Sequence, residues 1–101
     1  MTFDEFVAKY KYPNTTPAVQ VLDVRSPAEF KDGHLIGAIH IPLQELAERY
    51  DELSRDQELI VYCHAGVRSA AAVQILQSAG FEKLAHLQDG IQAVPQQLLN
   101  K

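Results

Sequence analysis

Cys63 is the only cysteine among 101 residues, and Arg68 follows it with four residues between them: His64, Ala65, Gly66 and Val67. A thiol and a guanidinium so close in the chain suit one kind of chemistry. The sulfur attacks as a thiolate, and the cation holds an anionic group. A thiol of ordinary acidity is mostly protonated at neutral pH, so the anion needs stabilising. The apolar run Leu59-Ile60-Val61-Tyr62 leads into Cys63, and a helical pattern begins near Val67, giving a strand, a short loop and a helix. Such a turn can aim backbone N–H groups and the positive helix end at the sulfur. Gly66 fits the tight curvature, because it reaches positive φ without steric cost. Ser69 reads as a structural hydroxyl of the first helical turn rather than a catalytic group. His64 could tune the thiolate or point to solvent beside the loop mouth.

The elements that must position this loop alternate between strands and helices. Thr2 and Glu5 stand at capping-box spacing, with Phe3, Phe6, Val7 and Tyr10 at helical intervals, which predicts a short opening helix. Val19 to Val24 predicts a buried strand, and Ser26, Pro27 and Glu29 start a single helical turn that ends at Asp32-Gly33. Gly37 to Ile41 is a second strand candidate, closed by Pro42. Leu43, Leu46, Ala47, Tyr50 and Leu53 repeat as an amphipathic helix, and Glu58 to Tyr62 is the third strand. A helix from Val67 to Ala79 carries Ala71, Ala72, Ile75, Leu76 and Ala79 on one face, with Gly80 at its C-terminus. Leu84 to Leu87 is a fourth strand, and Ile91 to Leu99 has a weak helical pattern broken by Pro95. The expected fold class is α/β, with a mainly parallel sheet of four to five strands and helices on both faces.

Length and composition fit one domain that folds without disulfides or a structural metal. A net charge of -4 argues against nucleic-acid partners, and no apolar run approaches the ~18 residues that would span a bilayer. The first ten residues lack the cationic and apolar pattern of a signal peptide, and one cysteine cannot make an internal disulfide, so a cytoplasmic protein is expected. No uncovered apolar stripe is evident, which makes a monomer the expected state.

Val61-Tyr62-Cys63-His64-Ala65-Gly66-Val67-Arg68-Ser69 resembles the active loop of single-domain rhodaneses, the thiosulfate sulfurtransferases, in which cysteine and arginine bracket four residues. Asp23-Val24-Arg25, Glu29-Phe30, Gly33 to Ala38, and Ile41-Pro42 resemble the rhodanese stretch ahead of that loop, and Leu87 to Ala93 resembles its closing turn. Phosphatases related to rhodaneses place five residues between cysteine and arginine, and the family comparison implies that the shorter loop suits a sulfur atom. The resemblance implies a three-layer rhodanese-like fold and a double displacement. The Cys63 thiolate takes the outer sulfur of a thiosulfate-type donor as a persulfide, and a thiol or cyanide acceptor, possibly a thiol-carrying protein, removes it. It further implies that Arg68 binds the anionic end of the donor and that His64, Ala65, Gly66, Val67, Arg68 and Ser69 form the binding loop, with neither metal nor organic cofactor needed.

Three other readings compete. A rhodanese module could relay sulfur or bind a partner without turnover, and a phosphatase or arsenate reductase would be a third class, disfavoured by the loop length and the single cysteine. A metal site drawing His34, His40 or His86 to Cys63 has no supporting ligand spacing. Asp23, Arg25 and Glu29 read as structural, with Arg25 pairing with Glu29 across the short turn. The chain also departs from the family pattern. Gln88-Asp89-Gly90 replaces a common pair of adjacent glycines, Val94 a common tryptophan and His40 a frequent asparagine, changes that bear on the pocket rim and the acceptor.

Overall fold

A computed structural model describes every residue from Met1 to Lys101. Helix α1 (Phe3–Tyr10) opens the chain on the Thr2/Glu5 capping box, and β1 (Val19–Asp23) follows. The turn after β1 leads into α2 (Pro27–Asp32), which starts on the Ser26/Glu29 capping box with Pro27 in its first turn. The chain continues through β2 (His34–Leu35) and β3 (Ile39–His40). Next comes α3 (Leu46–Arg49), a single α-turn flanked by 3-10 turns Leu43–Glu45 and Tyr50–Glu52. Then β4 (Glu58–Tyr62), α4 (Val67–Ser78) and β5 (Leu84–His86) form a continuous βαβ unit.

The main sheet has the order β3-β1-β4-β5 with every neighbouring pair parallel. Side chains alternate across it and feed two cores. Val19, Val21, Ile60 and Tyr62 face one cluster with Phe3 and Phe6 of α1. Leu22, Leu59, Val61 and Cys63 face the other, with Leu46 of α3 and Ala72 and Leu76 of α4. The strands are buried on both faces, as a parallel sheet requires.

The structure departs from the expected elements in four places, the first being the amphipathic helix expected from Leu43 to Leu53, which is a single α-turn between two 3-10 turns. The segment from Ile91 to Leu99 is not a helix: two 3-10 turns, Ile91–Ala93 and Gln96–Leu98, flank Pro95, and the chain ends in β6 (Leu99–Asn100), antiparallel to β2. Pro95 lacks a donor N–H and holds an extended conformation, which stops helical propagation. The expected strand at 37–41 contracts to Ile39–His40, because Gly37 turns the chain at φ 80. The apolar face of α4 is centred on Ser69, Ala72 and Leu76, while Ala71 stands in solvent. Gly80, at φ 95, closes α4 as expected.

Candidate active site

The loop from Cys63 to Arg68 leaves the carboxyl end of β4 and enters α4 at Gly66, which sits at φ 99. Two backbone donors converge on the sulfur: Gly66 N–H at 3.1 Å and Ser69 N–H at 3.3 Å from Cys63 Sγ. The Ser69 hydroxyl lies 3.6 Å away. Burial, at 1% exposure, pushes the Cys63 thiol up; the Ser69 N–H and hydroxyl, with the N–H groups of Gly66 and Ala65, outweigh it, so the thiol is more acidic than an ordinary cysteine. These donors, at the N-terminus of a 12-residue helix, suit an anionic sulfur.

A second segment locks the loop in place. Ile91 N–H donates to the Cys63 carbonyl at 2.9 Å, and Gln92 N–H to the His64 carbonyl at 3.3 Å. Gly66 and Gly90 make this fit possible. A Cβ on Gly66 would lie 2.2 Å from the Gln88 carbonyl oxygen, and one on Gly90 would lie 2.1 Å from the His64 carbonyl oxygen. Gly90 is the one glycine kept where the resemblance implies two, and backbone contact explains why it is kept.

The remaining loop residues separate by orientation. His64, Ala65 and Val67 are exposed, Val67 at 79%, so these positions offer mainly backbone to the sulfur. His64 also borders an open cavity of about 400 Å³, together with Arg25, Glu29, Gln92, Val94 and Leu99. Cys63 and Arg68 are not among the residues of its wall.

Arg68 does not stand free. Its guanidinium forms a bidentate pair with Glu29, Nη1 to Oε1 at 2.7 Å and Nη2 to Oε2 at 2.9 Å. Arg68 holds the Glu29 carboxyl down to about 2, with the Ser26 cap adding to the effect against partial burial. The expected Arg25–Glu29 pair is therefore not formed. Arg25 instead turns back to Asp23, Nη2 to Oδ2 at 2.7 Å, and donates to the Gly33 carbonyl at 2.7 Å. Both members of that pair are buried, and the fork geometry of Arg25 satisfies two acceptors at the exit of β1. Asp23, Arg25 and the capping role of Glu29 fit the structural reading, whereas the link from Glu29 to Arg68 has no signal in the spacing.

Sequence reasoning also missed His86. Val61 pairs with His86 across β4 and β5, which carries the ring to the loop, and Ser69 Oγ lies 2.9 Å from its Nδ1. His34 and His40 sandwich the Phe30 ring at 3.8 and 4.4 Å, and His40 Nε2 donates to the Arg25 carbonyl at 2.8 Å. His34 and His40 thus share one aromatic stack, away from the Ser69 contact of His86, and no three His, Cys, Asp or Glu side chains group as metal ligands.

Comparison with known proteins identifies relatives over most of the chain. The chain is 38% identical over 90 residues to the uncharacterized protein YqhL of Bacillus subtilis, covering 89% of this chain and 67% of that protein. It is 33% identical over 76 residues to the thiosulfate sulfurtransferase GlpE of Shewanella oneidensis, covering 75% of each. The crystal structure of a rhodanese-like domain protein from Staphylococcus aureus superposes with a TM-score of 0.87 at 27% identity, over 99% of this chain and 94% of that one. The model of the rhodanese-like domain matches residues 6–97, and with the loop and sheet described above the chain belongs to that family.

Proposed function

We propose that the protein is a sulfurtransferase that moves sulfane sulfur from thiosulfate, or a similar anionic donor, to a thiol or cyanide through a persulfide on Cys63. The observation that carries this reading is the convergence of the Gly66 and Ser69 N–H groups on an acidified sulfur within the seven residues from Cys63 to Ser69. The similarity to a thiosulfate sulfurtransferase supports the choice of donor.

In the first half-reaction the Cys63 thiolate attacks the outer sulfur of thiosulfate. The sulfur–sulfur bond of the donor breaks, and its electron pair leaves with sulfite. The outer persulfide sulfur carries the negative charge, and the loop N–H groups of Ala65, Gly66 and Ser69, with the start of α4, face that charge. In the second half-reaction the acceptor attacks the outer sulfur and Cys63 leaves as a thiolate. Arg68 attracts the sulfonate end of the donor, which competes with Glu29 for the guanidinium. His64 borders the open cavity beside the loop. The single thiol of the chain fits a reducing compartment. No helix is long and apolar enough to cross a membrane.

A steady-state assay of cyanide-dependent thiocyanate formation tests this reading. Parallel double-reciprocal lines for thiosulfate against cyanide, and no turnover in Cys63→Ser, are expected. Absence of thiocyanate formation by the wild type sinks the turnover claim. A relay or partner-binding module is favoured by one observation, the occupation of Arg68 by Glu29. It predicts a sulfur-loaded Cys63 with no thiocyanate turnover.

A further inference from the structure

Cys63 is 1% exposed, so its ionisation requires a route by which the thiol proton leaves. Backbone N–H groups stabilise a thiolate and cannot take up its proton. One chain of exchangeable groups leads away from the sulfur. Sγ lies 3.6 Å from Ser69 Oγ, and Ser69 Oγ lies 2.9 Å from His86 Nδ1. Ser69 is fully buried, while His86 is half-buried and its Nε2 has no hydrogen-bond partner in the protein.

Counting hydrogens restricts what this chain can do. Ser69 has one hydroxyl proton and three neighbours: Cys63 Sγ, His86 Nδ1 and the Gly66 carbonyl at 3.1 Å. The Gly66 carbonyl already accepts from Ala70 N–H at 3.1 Å, so it does not depend on that proton. With a neutral thiol, S–H donates to Oγ and the hydroxyl donates to an unprotonated Nδ1. With a thiolate the direction reverses, as Nδ1–H donates to Oγ and the hydroxyl donates to sulfur. Both arrangements satisfy all three atoms.

We infer that His86 is a positioning residue that receives the Cys63 proton through the Ser69 hydroxyl. The inference rests on the reading of Cys63 as the nucleophile. The S–H bond breaks as its proton passes to Oγ, and the original O–H bond breaks as that proton passes to Nδ1. A thiolate, an intact hydroxyl and an imidazolium result. Loss of the Nε2 proton to water then leaves a neutral ring whose Nδ1–H still faces Ser69. Burial holds the ring below the ordinary imidazole value, so at neutral pH it is unprotonated and able to accept. The titratable groups around the chain are Cys63, the Met1 α-amino group on the His86 carbonyl at 3.1 Å, and Arg68, which is held by Glu29 and also feels Asp23.

The test is the pH dependence of Cys63 alkylation by iodoacetamide in wild type, Ser69→Ala, His86→Leu and His86→Asn. Asparagine keeps an N–H near the Nδ1 position and so preserves an orienting contact, but it cannot take up a proton. Wild type is expected to show two coupled inflections. Both His86 variants and Ser69→Ala are expected to show one, with the apparent thiol pKa raised by about one unit and alkylation at pH 7 slowed about tenfold. A wild-type profile in both His86 variants, or rescue by asparagine alone, overturns the relay. A second measurement uses the wild type only: NMR titration of the His86 ring before and after alkylation. Loss of the thiolate is expected to make the ring more acidic, and an unchanged titration overturns the inference. Neither measurement involves a sulfur donor. Coupled titrations without thiosulfate turnover would contradict the proposed function and leave the relay standing, and turnover with uncoupled titrations would do the reverse.

Discussion

Glu29 is the residue at which helix capping and the position of Arg68 meet. It caps α2 through Ser26 and holds Arg68 through two short hydrogen bonds. Its carboxyl falls from an ordinary value near 4.5 to about 2 in the folded chain, so the stability it contributes is fully present above about pH 4.5 and is lost as pH falls toward 2. The pair is partly exposed, which limits its contribution to about 1 kcal/mol. Glu29→Gln is therefore expected to unfold at lower urea concentration than wild type at pH 7, with the gap closing between pH 4.5 and 2. An equal gap across that window in urea titrations would contradict the assignment. The two partners should shift donor binding in opposite directions. Arg68→Ala removes the cation and is expected to raise the KM for thiosulfate about tenfold, the scale of a charge-assisted hydrogen bond. Glu29→Gln leaves the cation with no competing carboxylate and is expected to lower it, and steady-state kinetics with a shift of the same sign in both variants would rule out the competition.

At the scale of elements, the Cys63 loop is set by the segment from Gln88 to Gln92 as much as by its own residues. Gly66 and Gly90 each hold positive φ, and a Cβ on either would collide with a carbonyl oxygen of the opposing segment. Gly90→Ala and Gly66→Ala are expected to destabilise the fold by about 2–4 kcal/mol, since backbone strain and a backbone clash act together. Equilibrium unfolding checks this, and a loss below about 0.5 kcal/mol would show that the segments are not interlocked. The loop itself was legible, because a strand ending in Cys63, a glycine and a helix all lie within ten residues. The strand into Cys63 was legible, whereas the 3-10 turn at Ile91–Ala93 and its interlock with the loop were not, because a backbone contact between distant segments leaves no pattern in side-chain type. The same holds for His86, which reaches Ser69 only through the register of β4 and β5. The resemblance misled for Arg25 and Glu29. It suggested a pair across the short turn, but Arg25 lies before the first turn of α2 and folds back on Asp23.

On the scale of the whole molecule, one four-stranded sheet separates two cores, and the candidate site sits at the carboxyl ends of its central strands, where β4 passes into α4. Ile60 belongs to one core and Ile41 to the other, and both are almost fully buried. Truncation to valine is expected to cost about 0.5–1.5 kcal/mol at each position and to add within about 0.5 kcal/mol in the double variant. Larger coupling in urea unfolding would mean that the cores do not act separately. The layering gives Cys63 two settings at once: its side chain joins the core beneath α4, while its sulfur meets the N–H groups at the start of that helix. The central claim is that this sulfur carries another sulfur. Intact mass spectrometry after incubation with thiosulfate, and again after cyanide, tests it most directly. The account predicts a gain of one sulfur atom that disappears with cyanide and never appears in Cys63→Ser. A wild-type mass unchanged by thiosulfate, or a gain that persists in Cys63→Ser, would contradict it.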